Sequence, residues 1–198
     1  DKEVLHDINI TLPKNSLTAL VGPSGSGKST VMKLCARFYD PQKGCIFFNG
    51  VPMNEINPES LMSHISMVFQ DVYLFQDTIR NNIRFGKTDA TEEEIIAAAK
   101  KACCHDFIMR LPKGYDTLVG EGGCTLSGGE KQRISIARAM LKDAQIILLD
   151  EATASLDPEN EVEVQKAIDT LIKGHTVIAI AHRLKTIKGA DQIIVLDN

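Results

Sequence analysis

The sequence predicts an α/β fold built on a mainly parallel sheet, and three observations carry the prediction. Gly22-Pro23-Ser24-Gly25-Ser26-Gly27-Lys28-Ser29 fits G-x-x-x-x-G-K-[ST], a phosphate-binding loop, and stands between an apolar run at 17–21 and apolar residues at helical spacing. Residues 146–149 are four consecutive aliphatics, the texture of a strand covered on both faces, and they end in Asp150-Glu151. Strand and helix patterns alternate through the C-terminal part, as βα units require.

Taken in order, Val4, Leu5, Ile8, Ile10 and Leu12 alternate with polar residues and predict a half-buried strand. Pro13-Lys14-Asn15 turns the chain into the strand at 17–21 that feeds the loop. After the loop, Val31, Leu34, Cys35 and Phe38 mark one face of a helix that Asp40-Pro41 stops. Residues 45–48 read as a strand, Asn49-Gly50 as a hairpin turn and 51–53 as its return, so antiparallel sheet is expected beside the core. Residues 65–69 form another short strand ending at Gln70.

The texture then becomes helical, and 71–142 reads as an insertion into an α/β core made of 1–70 and 143–198. Thr91-Glu92-Glu93-Glu94 is a capping box opening a helix to about Cys104, with Ile95, Ala98, Ala99 and Ala102 on one face. Phe107, Ile108 and Leu111 suggest a short helix closed by Pro112 and Gly114. Ser127-Gly128-Gly129-Glu130 is a second capping box, ahead of a helix with Ile134, Ala137, Met140 and Leu141 inward. Asp157-Pro158 caps a helix burying Val164, Ile168 and Leu171, and 176–180 and 192–196 are two more strands.

Composition narrows the functional classes. A hydrophobic share of 43% and a charged share of 24% over 198 residues are those of a globular domain with a sizeable core. A net charge of −4 argues against a nucleic-acid surface, and no run of ~18 apolar residues offers a membrane span. Cys35, Cys45, Cys103, Cys104 and Cys124 are odd in number and lack metal-ligand spacing, so reduced thiols are expected. His6, His64, His105 and His175 have no chemical context. A chain that begins at Asp1 and stops at Asn198 reads as a fragment of a longer one.

The chemistry gathers at the loop and the acidic pair. Glycines let the backbone curl so that several N–H groups face one phosphate, and the following helix adds its positive dipole end. Lys28 supplies a mobile charge, and the Ser29 hydroxyl can ligate Mg²⁺. Asp150, at the carboxyl end of a buried strand, is suited to hold Mg²⁺, and Glu151 to act as general base on a water attacking the γ-phosphate.

Leu126-Ser127-Gly128-Gly129-Glu130, followed by Lys131-Gln132-Arg133, resembles the signature motif of ABC ATPases, usually written LSGGQ. The order of phosphate loop, Gln70, signature, 146–151, Ser155-Leu156-Asp157 and Ala181-His182-Arg183 is similar to that family's full motif order and spans essentially the whole chain. The resemblance implies a P-loop NTPase with a RecA-like core, an N-terminal antiparallel β subdomain and an inserted helical subdomain. It also implies two such domains paired head to tail, each ATP lying between one domain's loop (through Thr30) and the other's Ser127, Gly128, Gly129 and Glu130. Within that scheme Gln70 reaches Mg²⁺ and relays nucleotide state to a transmembrane partner, His182 holds the γ-phosphate, and Asp157 lies in a loop crossing the dimer interface.

Val68-Phe69-Gln70-Asp71-Val72-Tyr73-Leu74-Phe75, then 77–83 and 117–121, resemble the exporter branch, in which the ATPase usually follows a six-helix membrane domain and works at the cytoplasmic face of the membrane. An importer subunit, or a soluble ABC ATPase of DNA repair or translation, is the alternative. Glu130 departs from the usual Gln, and a negative charge there could weaken the closed pair. The adenine-stacking aromatic that the family places upstream of Val4 has no counterpart in these residues.

Overall fold

The computed structural model describes residues 4–150, 158–181 and 187–197, with the side chains of residues 158 and 159 left aside. The strands are β1 (Leu17–Val21), β2 (Phe47–Phe48), β3 (Val51–Pro52), β4 (Ile65–Val68), β5 (Asp77–Thr78), β6 (Leu118–Val119), β7 (Ile146–Asp150), β8 (Thr176–Ile180) and β9 (Gln192–Val195). The helices are α1 (Lys28–Cys35), α2 (Pro58–Ser63), α3 (Ile79–Arg84), α4 (Glu92–Lys101), α5 (His105–Arg110), α6 (Gly128–Lys142) and α7 (Pro158–Leu171).

The described chain divides into two units. One comprises Asp1–Met67, Ala144–Glu151 and Gly174–Asn198, the other Val68–Asp143 and Ala152–Lys173. The first is organised on a five-stranded sheet in the order β4-β7-β8-β1-β9. β1 pairs in parallel with β8 and β9, and β7 in parallel with β8. The inner strands bury their middle residues on both faces, which is why they read as unbroken aliphatic runs. Edge strand β9 instead alternates half-buried with exposed positions. Leu20, Leu148 and Ile178 of the sheet, Val31 and Met32 of α1 and Leu61 of α2 form one buried cluster. Each such side chain, fully buried, contributes about 1.5–3 kcal/mol.

In the second unit α6 packs against α3, α4 and α7. It is therefore buried almost all round, including the polar Gln132, Arg133 and Ser135. β5 and β6 pair antiparallel, with β5 packed against α3. Both capping boxes form: Thr91 and Glu94 open α4, and Ser127 and Glu130 open α6.

Most predicted elements are present, and the differences have local causes. Residues 4–12 form no strand: Val4, Ile8 and Ile10 are exposed, and only Leu5 and Leu12 pack against the cluster. Alternation makes a strand only when a neighbouring strand supplies the ladder, and none among the described residues does. Helix α1 stops at Cys35, before Phe38, which is exposed. Arg37 adopts φ 54°, its N–H donating to the Leu34 carbonyl and that of Phe38 to the Lys33 carbonyl. This left-handed helix end is stabilised by Arg37 itself, whose Nη1 donates to Ile56 O at 2.6 Å and Nη2 to Asn54 O at 3.1 Å. Of 45–48 only Phe47 and Phe48 are strand, turning through Asn49 and Gly50, both at positive φ, onto β3. Helix α4 ends at Lys101 because Cys103 sits at φ 55°, and Met140 is half-buried rather than inward. Helices α2 and α3 were not among the predicted elements. Each has its own cap, Asn57 followed by Pro58 for α2 and Thr78 for α3.

Candidate functional site

The phosphate-binding loop runs from the carboxyl end of β1 to the first turn of α1, the strand–loop–helix context that the motif requires. Its glycines are needed for their conformation: Gly25 has φ 86° and Gly27 φ 91°. Gly22 lies so close to the Leu196 carbonyl that a Cβ there would overlap it. The carbonyl of Gly27 accepts the first helical bond from Val31 N–H at 2.9 Å, so the helix begins at the loop's last glycine.

Lys28 is 7% exposed. Its Nζ donates to the Gly22 carbonyl at 2.9 Å and to the Pro23 carbonyl at 2.7 Å, with Ser26 Oγ at 3.5 Å. The ammonium is thus held over the mouth of the loop. Pro23, Ser24, Gly25 and Ser29 are exposed and Thr30 half-buried, so the loop's hydroxyls and backbone are open to solvent beside one cation. That arrangement can cradle an anion of phosphate size.

Asp150 is the last residue of β7 and is half-buried. Strand register aligns it with Ile180 of β8, and Ile180 with Leu20 of β1. Two strand spacings therefore separate Asp150 from the root of the loop, about 10 Å between backbones. Both lie beyond the carboxyl ends of parallel strands, where an open α/β sheet places its ligands. A Mg²⁺ ion held from Ser29 and Asp150 would take the rest of its shell from phosphate oxygens and water. The residues fit that role in their chemistry: an exposed hydroxyl at the start of α1 and a half-buried carboxylate at the end of β7 are the hard oxygen donors Mg²⁺ takes.

In the second unit, Gln70 is exposed in the bend after β4. The signature residues form the first turn of α6. Ser127 Oγ accepts from Glu130 N–H at 3.3 Å, while a Glu130 carboxylate oxygen accepts from Ser127 N–H at 2.8 Å. The unusual carboxylate is therefore folded back onto the helix end and neutralises part of the dipole. Ser127 and Gly128 are exposed and Gly129 buried against Asn160, on which any Cβ would intrude. Glu151, Asp157 and His182 lie outside the described residues.

Several buried polar residues make contacts that the motifs do not specify: Gln132 and Arg133 follow the signature in sequence without an assigned role, and Asn82 and Arg138 lie outside every motif. Gln132, 3% exposed, donates from Nε2 to the Phe69 carbonyl at 3.2 Å. Arg133 donates from Nη2 to Asn160 Oδ1 at 3.0 Å and lies over the Phe107 ring. Asn82, 1% exposed, binds the backbone of Phe75 and Thr78 and receives Arg138. Arg138 lies beneath Phe75 and Phe85, and burial holds its guanidinium below the ordinary value. Tyr73 stacks edge-on against Phe75, making a partly exposed aromatic surface. The available signal was the presence of polar residues at inward positions of an apolar helix.

Fold and loop together define a nucleotide-binding α/β domain. Residues 5–154 match the ABC transporter family, and the chain belongs to that family, carrying its ATP-binding domain. It is 52% identical over 197 residues to an ATP-dependent lipid A-core flippase of Legionella pneumophila (strain Paris), covering 100% of this chain and 34% of the relative. It is 52% identical over 196 residues to ABC transporter B family member 2 of Dictyostelium discoideum, covering 99% of this chain and 14% of the relative. Among solved structures it resembles a bacterial Atm1-family ABC exporter with ATP bound, with a TM-score of 0.91 and 47% identity over 99% of this chain and 34% of the other. The chain thus spans about a third or less of the length of these relatives.

Proposed function

We propose that this domain binds and hydrolyses ATP as the motor of an ABC exporter. The observation that carries the reading is the Lys28-centred loop facing Asp150 across the carboxyl edge of a parallel sheet, in a chain about half identical to proteins named as exporters and flippases. Backbone N–H groups of residues 24–29 and the Lys28 ammonium hold the β- and γ-phosphates. Ser29, Gln70 and Asp150 would hold Mg²⁺, which would supply positive charge against the phosphate oxygens. Glu151 orients a water and takes its proton as the water oxygen bonds to the γ-phosphorus and the bond to the ADP oxygen breaks. His182 hydrogen-bonds the γ-phosphate.

The exposed turn at Ser127–Gly129 and the loop bearing Asp157 serve a second copy or a related ATPase domain placed head to tail, completing its site from across the interface. The aromatic surface at Tyr73, Phe75 and Phe85, of which the first two closely follow Gln70 in sequence, is suited to a transmembrane domain in the same longer chain; this chain spans 34% of the flippase relative. No described helix is long and apolar enough to cross a membrane. The domain works at the cytoplasmic face of the membrane, attached through the transmembrane domain.

The test is ATP turnover by the intact protein reconstituted in lipid vesicles. Glu151→Gln is expected to lower kcat by ~10²–10⁴-fold while ATP binding persists. Unchanged turnover would remove Glu151 from the mechanism, and absence of turnover in the wild type would refute the motor reading.

A further inference from the structure

The residues just after the signature turn, Gln132 and Arg133, lie outside the phosphate loop and the exposed turn, yet both are buried polar side chains of the second unit, 3% and 8% exposed. A buried polar group is the informative exception in a protein interior. Apolar residues of similar size at these positions would fill the same space without the cost of desolvating an amide and a guanidinium. Arg133 makes the contrast sharper: its Nε is buried and has no hydrogen-bond partner among the described residues.

What the two side chains do make is specific. Gln132 spans 63 residues of sequence to the carbonyl of Phe69, the residue immediately before Gln70. Arg133 spans 27 residues to Asn160, which lies three positions after Asp157 in the sequence. Asn160 also closes against Gly129, so α7 meets the N-terminal part of α6 at two points, one of them in the signature turn. One helical turn thus holds both the segment entering Gln70 and the start of α7. The Phe107 ring under Arg133 at 5.1 Å fixes the guanidinium from the remaining side.

We propose that Gln132 and Arg133, with Asn160, are positioning residues that tie the signature turn to the Gln70 segment and to the first turn of α7, so that engagement of Ser127–Gly129 is passed to both. The proposal rests on the ATP-driven reading above. It makes the hydrogen bonds, not the volume of the side chains, the means of transmission.

The experiment uses the intact protein in lipid vesicles, wild type and the variants Gln132→Leu, Asn160→Ala and Asn160→Asp. Leu keeps the helical, buried character at 132 but cannot donate to Phe69. Asp keeps the acceptor for Arg133, and Ala removes it. Two readouts are taken: kcat and KM for ATP, and the ATP-induced change in amide exchange over 68–76 and 158–165. Gln132→Leu and Asn160→Ala are expected to lower kcat about tenfold with KM within twofold, and to lose the ATP-induced exchange change in the segment each one serves. Asn160→Asp is expected to stay within twofold of wild type in kcat, with its exchange change intact.

Wild-type kcat and exchange in Gln132→Leu and Asn160→Ala would overturn the inference while leaving the motor reading standing. So would Asn160→Asp failing as badly as Asn160→Ala, which would mark a packing role only. A wild type that binds ATP without turnover would sink the motor reading, and the exchange comparison would still decide the inference. A wild type that binds no ATP would end both. A variant that does not fold is replaced by Arg133→Lys, which keeps the charge over Phe107 but loses the planar fork and is expected to behave like Asn160→Ala; wild-type behaviour would overturn the inference.

Discussion

Replacing Arg138 by methionine removes two hydrogen bonds to Asn82, from Nε to the carbonyl at 2.9 Å and from Nη2 to Oδ1 at 3.2 Å. It also removes the cation beneath Phe75 and Phe85. Charge-assisted bonds of this kind contribute about 1.5–3 kcal/mol each. Cation–ring contacts at partly exposed aromatics add about 0.5–1 kcal/mol. Methionine recovers about a third of this through sulfur–aromatic contact, and Asn82 Oδ1 keeps its bond from Phe75 N–H at 2.9 Å. The net loss is about 3 kcal/mol, which for a chain of this length lowers Tm by about 6–12 °C. Thermal unfolding followed by circular dichroism measures it. Lysine at the same position keeps charge without the fork and should recover less than half of the loss. A shift under about 2 °C for methionine, or full recovery by lysine, would show that the Asn82–Arg138 pair does not hold this region together.

Further outcomes follow from the same geometry. Gly22→Ala drives a Cβ into the Leu196 carbonyl and should cost about 1–3 kcal/mol in urea unfolding, with nucleotide affinity falling alongside; unchanged affinity would mean that the loop tolerates another shape. Glu130→Gln preserves the capping box, so Tm should move by less than about 2 °C, while removal of the charge strengthens ATP-dependent pairing of domains measured by sedimentation. Cys104 is buried and its thiol is pushed up to about 12 from an ordinary 9.0. A raised value in the folded state means that its stabilising effect is complete below pH 9 and is lost as pH climbs toward 12, so the urea midpoint should fall over that window and fall less in Cys104→Ala. Exposed Cys45 and Cys124 should react with maleimide in the folded protein, and Cys104 only after unfolding.

The sequence was most legible where one local rule decides the structure. The phosphate loop, both capping boxes and the Asn49-Gly50 hairpin each need particular residues at fixed offsets, and each is found in place. Periodicity served well on β1, β7 and β8, whose aliphatic runs are buried on both faces. It misled where tertiary context decides. The alternation of 4–12 looked like a strand but has no pairing neighbour among the described residues, and α1 ended early because Arg37 finds carbonyls at Asn54 and Ile56 that no local pattern reveals. For the same reason Gln132, Arg133 and Asn160 were invisible as a set: their partners are 27 and 63 residues away. Asp150 was placed correctly at a strand end, while the register that brings it level with the loop's root came only from the sheet.

The most direct test of the central claim is calorimetric titration of Mg-ATP into the intact protein and its Lys28→Ala variant. Binding of one ATP per domain in the wild type, weakened at least tenfold in Lys28→Ala with the folded far-UV circular dichroism spectrum retained in the absence of nucleotide, is the predicted result. Equal affinity in the two proteins would place ATP elsewhere and contradict the account.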